Sequence, residues 1–120
     1  MSDIRINDNI LKSVRKCIGG EENGDAFDTD LILAINTVFQ TLHQLGIGPK
    51  EPFSISDGSE EWSDFLDSSS FEACKEYVII RVRLLFDPPQ SSYLVDNLKE
   101  ELREIEWRLV FENETEWDQL

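Results

Sequence analysis

Apolar residues return with a helical period in four stretches of this chain. Ile10, Leu11, Val14, Cys17 and Ile18 fall at i, i+1, i+4, i+7 and i+8, which is one face of a helix. This predicts a first helix from about Asp8 to Ile18. Asn7 is placed to cap it and Gly19-Gly20 to end it, because glycine enters the left-handed region without steric cost. Leu31, Ile35, Val38, Leu42 and Leu45 repeat at alternating spacings of four and three. They predict a second helix starting near Thr29. Asp28 stands at its cap position, Phe27 where it can staple onto Ile32, and Gly46 closes it.

Gly48-Pro49, Pro52 and Asp57-Gly58 are turn residues, so a long loop follows. Within it Phe53-Ser54-Ile55 alternates and predicts a short extended piece. Ser59 is a candidate cap for a short helix carrying Trp62, Phe65 and Leu66. The stretch Val78 to Leu84 is rich in β-branched residues and partly alternates, as a strand does. Helix is favoured there for three reasons. Ser69-Ser70-Phe71-Glu72 has a capping-box pattern. Phe71, Cys74, Val78, Val82 and Leu85 share one helical face. The span from Ser70 to Phe86 is also too long for an ordinary strand. Asp87-Pro88-Pro89 stops it. The last helix is predicted from Ser92 to Phe111, capped by Ser91 or Ser92. Leu94, Leu98, Leu102, Ile105 and Leu109 form its stripe, and Glu104 and Arg108 are spaced for an ion pair. The expectation is an all-α fold: a small bundle of about four helices with a long loop between the second and third main helices. Residues 1–111 form the helical domain and 112–120 an acidic C-terminal tail.

The chain has 120 residues, 40% of them apolar, a composition suited to one globular domain. Acidic residues number 25 against 11 basic, a net charge of −14. Such a surface repels nucleic acid and anionic membranes and points to a protein partner. No run approaches the roughly 18 apolar residues of a membrane span. The opening MSDIRIND lacks the apolar core of a signal peptide. An intracellular setting with Cys17 and Cys74 as reduced thiols is therefore expected.

The residues suggest little chemistry. His43 is the single histidine and reads as a boundary residue of the second helix. One histidine without nearby cysteines makes no zinc site, and it is the only imidazole a triad could use. Asp57-Gly58-Ser59-Glu60-Glu61 lacks the spacing of a calcium loop. No catalytic, cofactor or metal residue is expected. Aromatics are the better candidates. Glu51 to Cys74 holds seven acids and no Lys or Arg, which reads as a solvated loop or as a partner-facing one with Trp62 and Phe65 buried on assembly. Trp107 lies off the main stripe of the last helix, so either that stripe is wider or Trp107 marks a subunit interface with Phe111. Trp117 and Leu120 in the tail serve no stripe and are candidate docking residues.

Several segments resemble the head–tail connector (adaptor) proteins of tailed phages and prophages. They are Phe27-Asp28-Thr29-Asp30, Ile35-Asn36, and Leu45-Gly46-Ile47-Gly48-Pro49. Further on come Tyr77-Val78 and Arg81-Val82-Arg83-Leu84-Leu85-Phe86-Asp87-Pro88-Pro89 with Ser91-Ser92. Glu104-Ile105-Glu106-Trp107-Arg108-Leu109 closes the series. The similarity runs from about residue 8 to 110.

The resemblance implies a non-enzymatic virion protein at the head–tail junction, made in the host bacterial cytoplasm. It implies a ring of self-associated subunits between the portal protein and a head–tail stopper or tail-completion protein. DNA would pass through the lumen without sequence-specific binding, with no membrane involved. An acidic lumen would offer phosphates little to hold. Two other readings of the charge are an acidic DNA-mimic inhibitor of a host DNA-binding enzyme and a hydrolase with paired carboxylates. Competition with DNA for an enzyme would mark the first, and two adjacent acids with raised pKa in a pocket the second.

Overall fold

The computed structural model describes Arg5 and residues 8–18, 27–66, 70–86 and 88–118, with backbone alone from 112 onward. Among these residues the named elements are all helices: α1 Ile10–Cys17, α2 Asp28–Gln44, α3 Trp62–Phe65, α4 Phe71–Phe86 and α5 Ser92–Asp118. The principal packing is of α2 on α4 and of α4 on α5, with α1 closing over α2 and α4.

The start of α1 is set by a long-range contact. Asn9 bridges Glu61 in antiparallel fashion. The Ile10 amide donates to the Glu60 carbonyl at 2.9 Å, and the Trp62 amide to that of Asp8 at 3.1 Å. Held extended, Asn9 becomes the cap, and its Oδ1 accepts from the Lys12 amide at 2.9 Å. The cap expected at Asn7 is thus at Asn9, while Asn7, like Gly19-Gly20, lies outside the described residues.

Asp28 does not cap α2 either. It is the first helical residue, and Phe27 takes the cap position without a side-chain bond. The Asp28 carboxylate instead receives both arms of Arg15, Nη2 at 2.7 Å and Nε at 3.1 Å. A fork-to-carboxylate pair is stronger than a single cap bond, and it ties α1 to α2. Phe27 packs edge-on to Phe86, with centroids 6.1 Å apart. The C-terminus of α2 is a Schellman turn: Ile47 N–H donates to the Leu42 carbonyl and Gly46 N–H to that of His43, with Gly46 at φ 82°.

The long loop is packed down rather than solvated throughout. Asn36 donates to the Ile55 carbonyl at 2.9 Å and accepts from the Ile55 amide at 2.7 Å. One side chain therefore serves as strand partner for the Phe53–Ile55 piece, which forms no sheet. Phe39, Phe53 and Phe65 cluster with centroids 4.6–5.4 Å apart. Ser59 caps no helix, since its amide and hydroxyl both bind Asp57 Oδ1. The α3 turn is capped at Glu61, whose amide donates to Asp64 Oδ2 at 2.9 Å.

The segment of mixed pattern is the helix α4, and it is the centre of the bundle. Phe71, Cys74, Tyr77, Val78, Ile79, Ile80 and Val82 are buried, as is Lys75. Lys75 Nζ meets Glu72 Oε1 at 2.6 Å and lies over the Phe71 ring. Leu85, read as the end of the α4 stripe, is 55% exposed. On α5, Leu102, Ile105 and Leu109 are buried and Leu98 packs partly against the core, but Leu94 is half exposed. Ser91 is the cap residue: the Val95 amide donates to its carbonyl. The close ion pair on α5 is Arg103 with Glu100 at 2.7 Å, rather than Glu104 with Arg108.

Candidate functional site

The polar contact that joins α4 to α5 is built from residues 29 positions apart. The buried Tyr77 hydroxyl donates to Glu106 Oε2 at 2.5 Å. Arg81, one turn further along α4, reaches the same oxygen at 3.5 Å and covers the Tyr77 ring with its guanidinium, 5.6 Å from the centroid. One carboxylate thus fixes two side chains of α4, and the register of α5 against α4 follows. Burial, and then the bond to Glu106, push the Tyr77 hydroxyl well above its ordinary range.

This raised value predicts a pH dependence. The fold favours the neutral phenol, so the contribution is complete below the unfolded value of about 10 and is lost as pH rises through the folded value. Tyr77→Phe should cost about 1.5–3 kcal/mol at neutral pH, the range for a hydrogen bond to a charged group. Thermal melts from pH 8 to 11 should show the gap to the parent protein narrowing above pH 10. A gap constant across that range would show that the hydroxyl does not carry the effect.

Two surfaces flank this lock. On the outer side of α5, away from Leu102, Ile105 and Leu109, Trp107 and Phe111 stack in parallel, with centroids 5.4 Å and planes 14° apart. They are 68% and 66% exposed, with Val110 beside them partly exposed. The i,i+4 spacing puts both rings on one face. Large apolar area of this kind, unpaired among the described residues, marks interaction surfaces. The second surface is a groove of about 470 Å³ between α4 and α5. Leu84, Leu85 and Leu102 line it, and Arg81, Lys99, Arg103 and the acid Glu106 stand around it.

The six aromatic and apolar candidates from the sequence divide sharply. Trp107 and Phe111 are together and exposed. Trp62 is fully buried and Phe65 nearly so. Trp62 lies edge-on to Phe71 at 6.0 Å, and Phe65 belongs to the cluster with Phe39 and Phe53. Their expected burial on assembly is corrected: folding of the single chain already buries them, so they cannot be offered to a partner without opening the core. The side chains of Trp117 and Leu120 lie outside the described residues, but the backbone of α5 runs to Asp118, beyond the expected end at Phe111.

The remaining candidates have structural work. His43 donates from Nε2 to the Lys50 carbonyl at 2.9 Å, holding the loop that follows α2. Asp57 binds Ser59, and Glu60 Oε2 accepts from the Ser56 amide and hydroxyl, so these acids stitch a turn. The bonds from Ser59 lower the Asp57 pKa. Burial pushes the Cys17 thiol up, against the pull of Lys75, which is the reverse of what activates a nucleophile. Among the described residues no group of His, Cys, Asp and Glu is arranged to hold a metal ion, and no helix is long and apolar enough to cross a membrane.

The residues missed by sequence reasoning are the Tyr77–Glu106–Arg81 lock, the basic groove, the Asn36 clamp and buried Lys75. The lock and the clamp had a signal: Tyr77, Arg81, Glu106 and Asn36 all lie in the segments that carry the family resemblance. Periodicity alone marks none of them.

Comparison with curated proteins and with solved structures yields no match. The sequence model of a phage connector protein family does match, over residues 10–116, nearly the whole described fold, and the chain belongs to that phage connector protein family.

Proposed function

We propose that this connector is the head–tail adaptor subunit, which forms a ring between the portal protein and the stopper or tail-completion protein. The observation that carries the reading is the family match across α1 to α5. Two properties of the chain support it. Trp107 and Phe111 give each subunit an exposed apolar face suited to docking. The net charge of −14 suits a lumen that passes DNA without gripping its phosphates. The role is assembly rather than catalysis, and the protein resides in the virion at the head–tail junction after synthesis in the host cytoplasm.

Electron microscopy of particles made without the protein tests this. DNA-filled heads lacking tails are the expected result, and normally tailed virions would overturn the reading. Trp107→Ala should leave the thermal midpoint nearly unchanged, since the ring contributes little to the core. It should weaken incorporation into particles by about 1–3 kcal/mol of docking free energy, as for an interface tryptophan. A large fall in midpoint would place Trp107 in the fold instead.

A further inference from the structure

The groove between α4 and α5 gathers three basic side chains on an acidic molecule, with Glu106 also in its lining. Arg81, Lys99 and Arg103 stand at it, three of 11 basic residues in a chain with 25 acids. Lys99 and Arg103 are one helical turn apart on α5. Arg103 is tied only at the surface, to Glu100, and Arg81 shares Glu106 with Tyr77. The apolar side chains are Leu84, Leu85, half exposed, and Leu102. Such a groove selects an acidic peptide segment that also carries an apolar side chain. A bare phosphate would leave the leucines unused.

One segment of this chain has that composition. Residues 112–118 read Glu-Asn-Glu-Thr-Glu-Trp-Asp, with four acids, no base and one tryptophan. They continue α5 without a break. At 1.5 Å per residue the segment lies roughly 14–22 Å beyond Arg103 on the same rod, so it cannot bend back into its own groove. We infer that the groove receives the acidic C-terminal end of α5 from a second copy of the chain. Groove and occupant are different surfaces, so the contact is head-to-tail. Such contacts repeat in one direction and close into a ring when the rotation allows. The inference deepens the ring reading above and rests on it.

Carbodiimide coupling of the full-length protein, which joins an amine to a carboxylate in direct contact, tests the contact at physiological ionic strength. Screening there is over about 8 Å, which removes long-range repulsion between subunits and keeps short pairs. Lys99 should couple to residues 112–118 in species of dimer mass and above. Two variants follow, each checked for folding by circular dichroism: Lys99→Glu with Arg103→Glu, and Glu112→Lys with Glu116→Lys. Either variant alone should lose coupling on the order of tenfold. An equimolar mixture of the two should recover it, because each groove then meets a tail of opposite charge. Coupling by either variant alone at the parent level would overturn the inference. So would a mixture no better than its components, or no coupling of Lys99 to residues 112–118 in the parent at millimolar concentration. These failures would leave the adaptor reading standing if particles without the protein still lack tails.

Discussion

Gly48→Ala should destabilise the fold by about 2–6 kcal/mol. Gly48 has φ +96°, a conformation that costs an L-residue of order 1–3 kcal/mol. A methyl group there would also sit 2.6 Å from Phe65 Cε1 and 2.9 Å from Cζ. A ring on the surface would swing aside, but Phe65 is buried between Phe39 and Phe53. Overpacking of such a site costs a further ~1–3 kcal/mol. Gly58→Ala is the control. Its φ is not positive, and the new methyl would be 3.8 Å from its nearest neighbour. It should be neutral or stabilise by about 0.4–1 kcal/mol, through the unfolded chain. Urea unfolding measures both, as shifts in midpoint at constant slope. Equal midpoints for the two variants would show that the Gly48 turn is free to rearrange.

The second large effect is expected at Trp62. Trp62→Ala should cost about 3–5 kcal/mol, as for a large aromatic removed from a core. The side chain has no exposed surface. Trp62 sits where α3 is tied to the start of α1, its own amide donating to the Asp8 carbonyl and the Ile10 amide to that of Glu60. For a domain of this size the midpoint should fall roughly 10–20 °C. Among the described residues nothing accepts its indole N–H, and an unmade buried bond is itself costly. Trp62→Phe removes that donor and keeps most of the ring contact with Phe71, so it should cost less than the alanine change. Calorimetry on the three proteins decides it. A Trp62→Ala protein that melts normally but fails to enter particles would restore Trp62 to the docking surface and reject its place in the core.

These two positions also show where a linear reading stops. Trp62 and Phe65 stand in an acid-rich stretch without a basic residue, next to turn residues, and local composition reads such a stretch as exposed. Burial there depends on partners far away in the sequence: Asn36 clamping Ile55, Asn9 bridging Glu61, and Phe39 meeting Phe65. No window of neighbouring residues contains that information.

Local physics was enough for the helices themselves. The stripes on α2 and α5, the glycine that closes α2 and the prolines after α4 depend on spacing of a few residues and on backbone chemistry, both visible along the chain. The mixed pattern of Val78 to Leu84 has a tertiary explanation. As the central helix, α4 is covered by α2, α5 and α1, so apolar residues surround it and the one-faced period fades. The same crowding buries Lys75. The caps of α1 and α2 moved because a bridge to Glu61 and the fork of Arg15 outcompeted the local choices. Tyr77, Arg81 and Glu106 lie in separate segments of the family resemblance, which gave them no role. Only the packing of α5 on α4 makes them one polar lock, turns Trp107 and Phe111 outward, and opens the basic groove. Contacts between distant helices are decided by which faces meet, and that is a property of the folded chain.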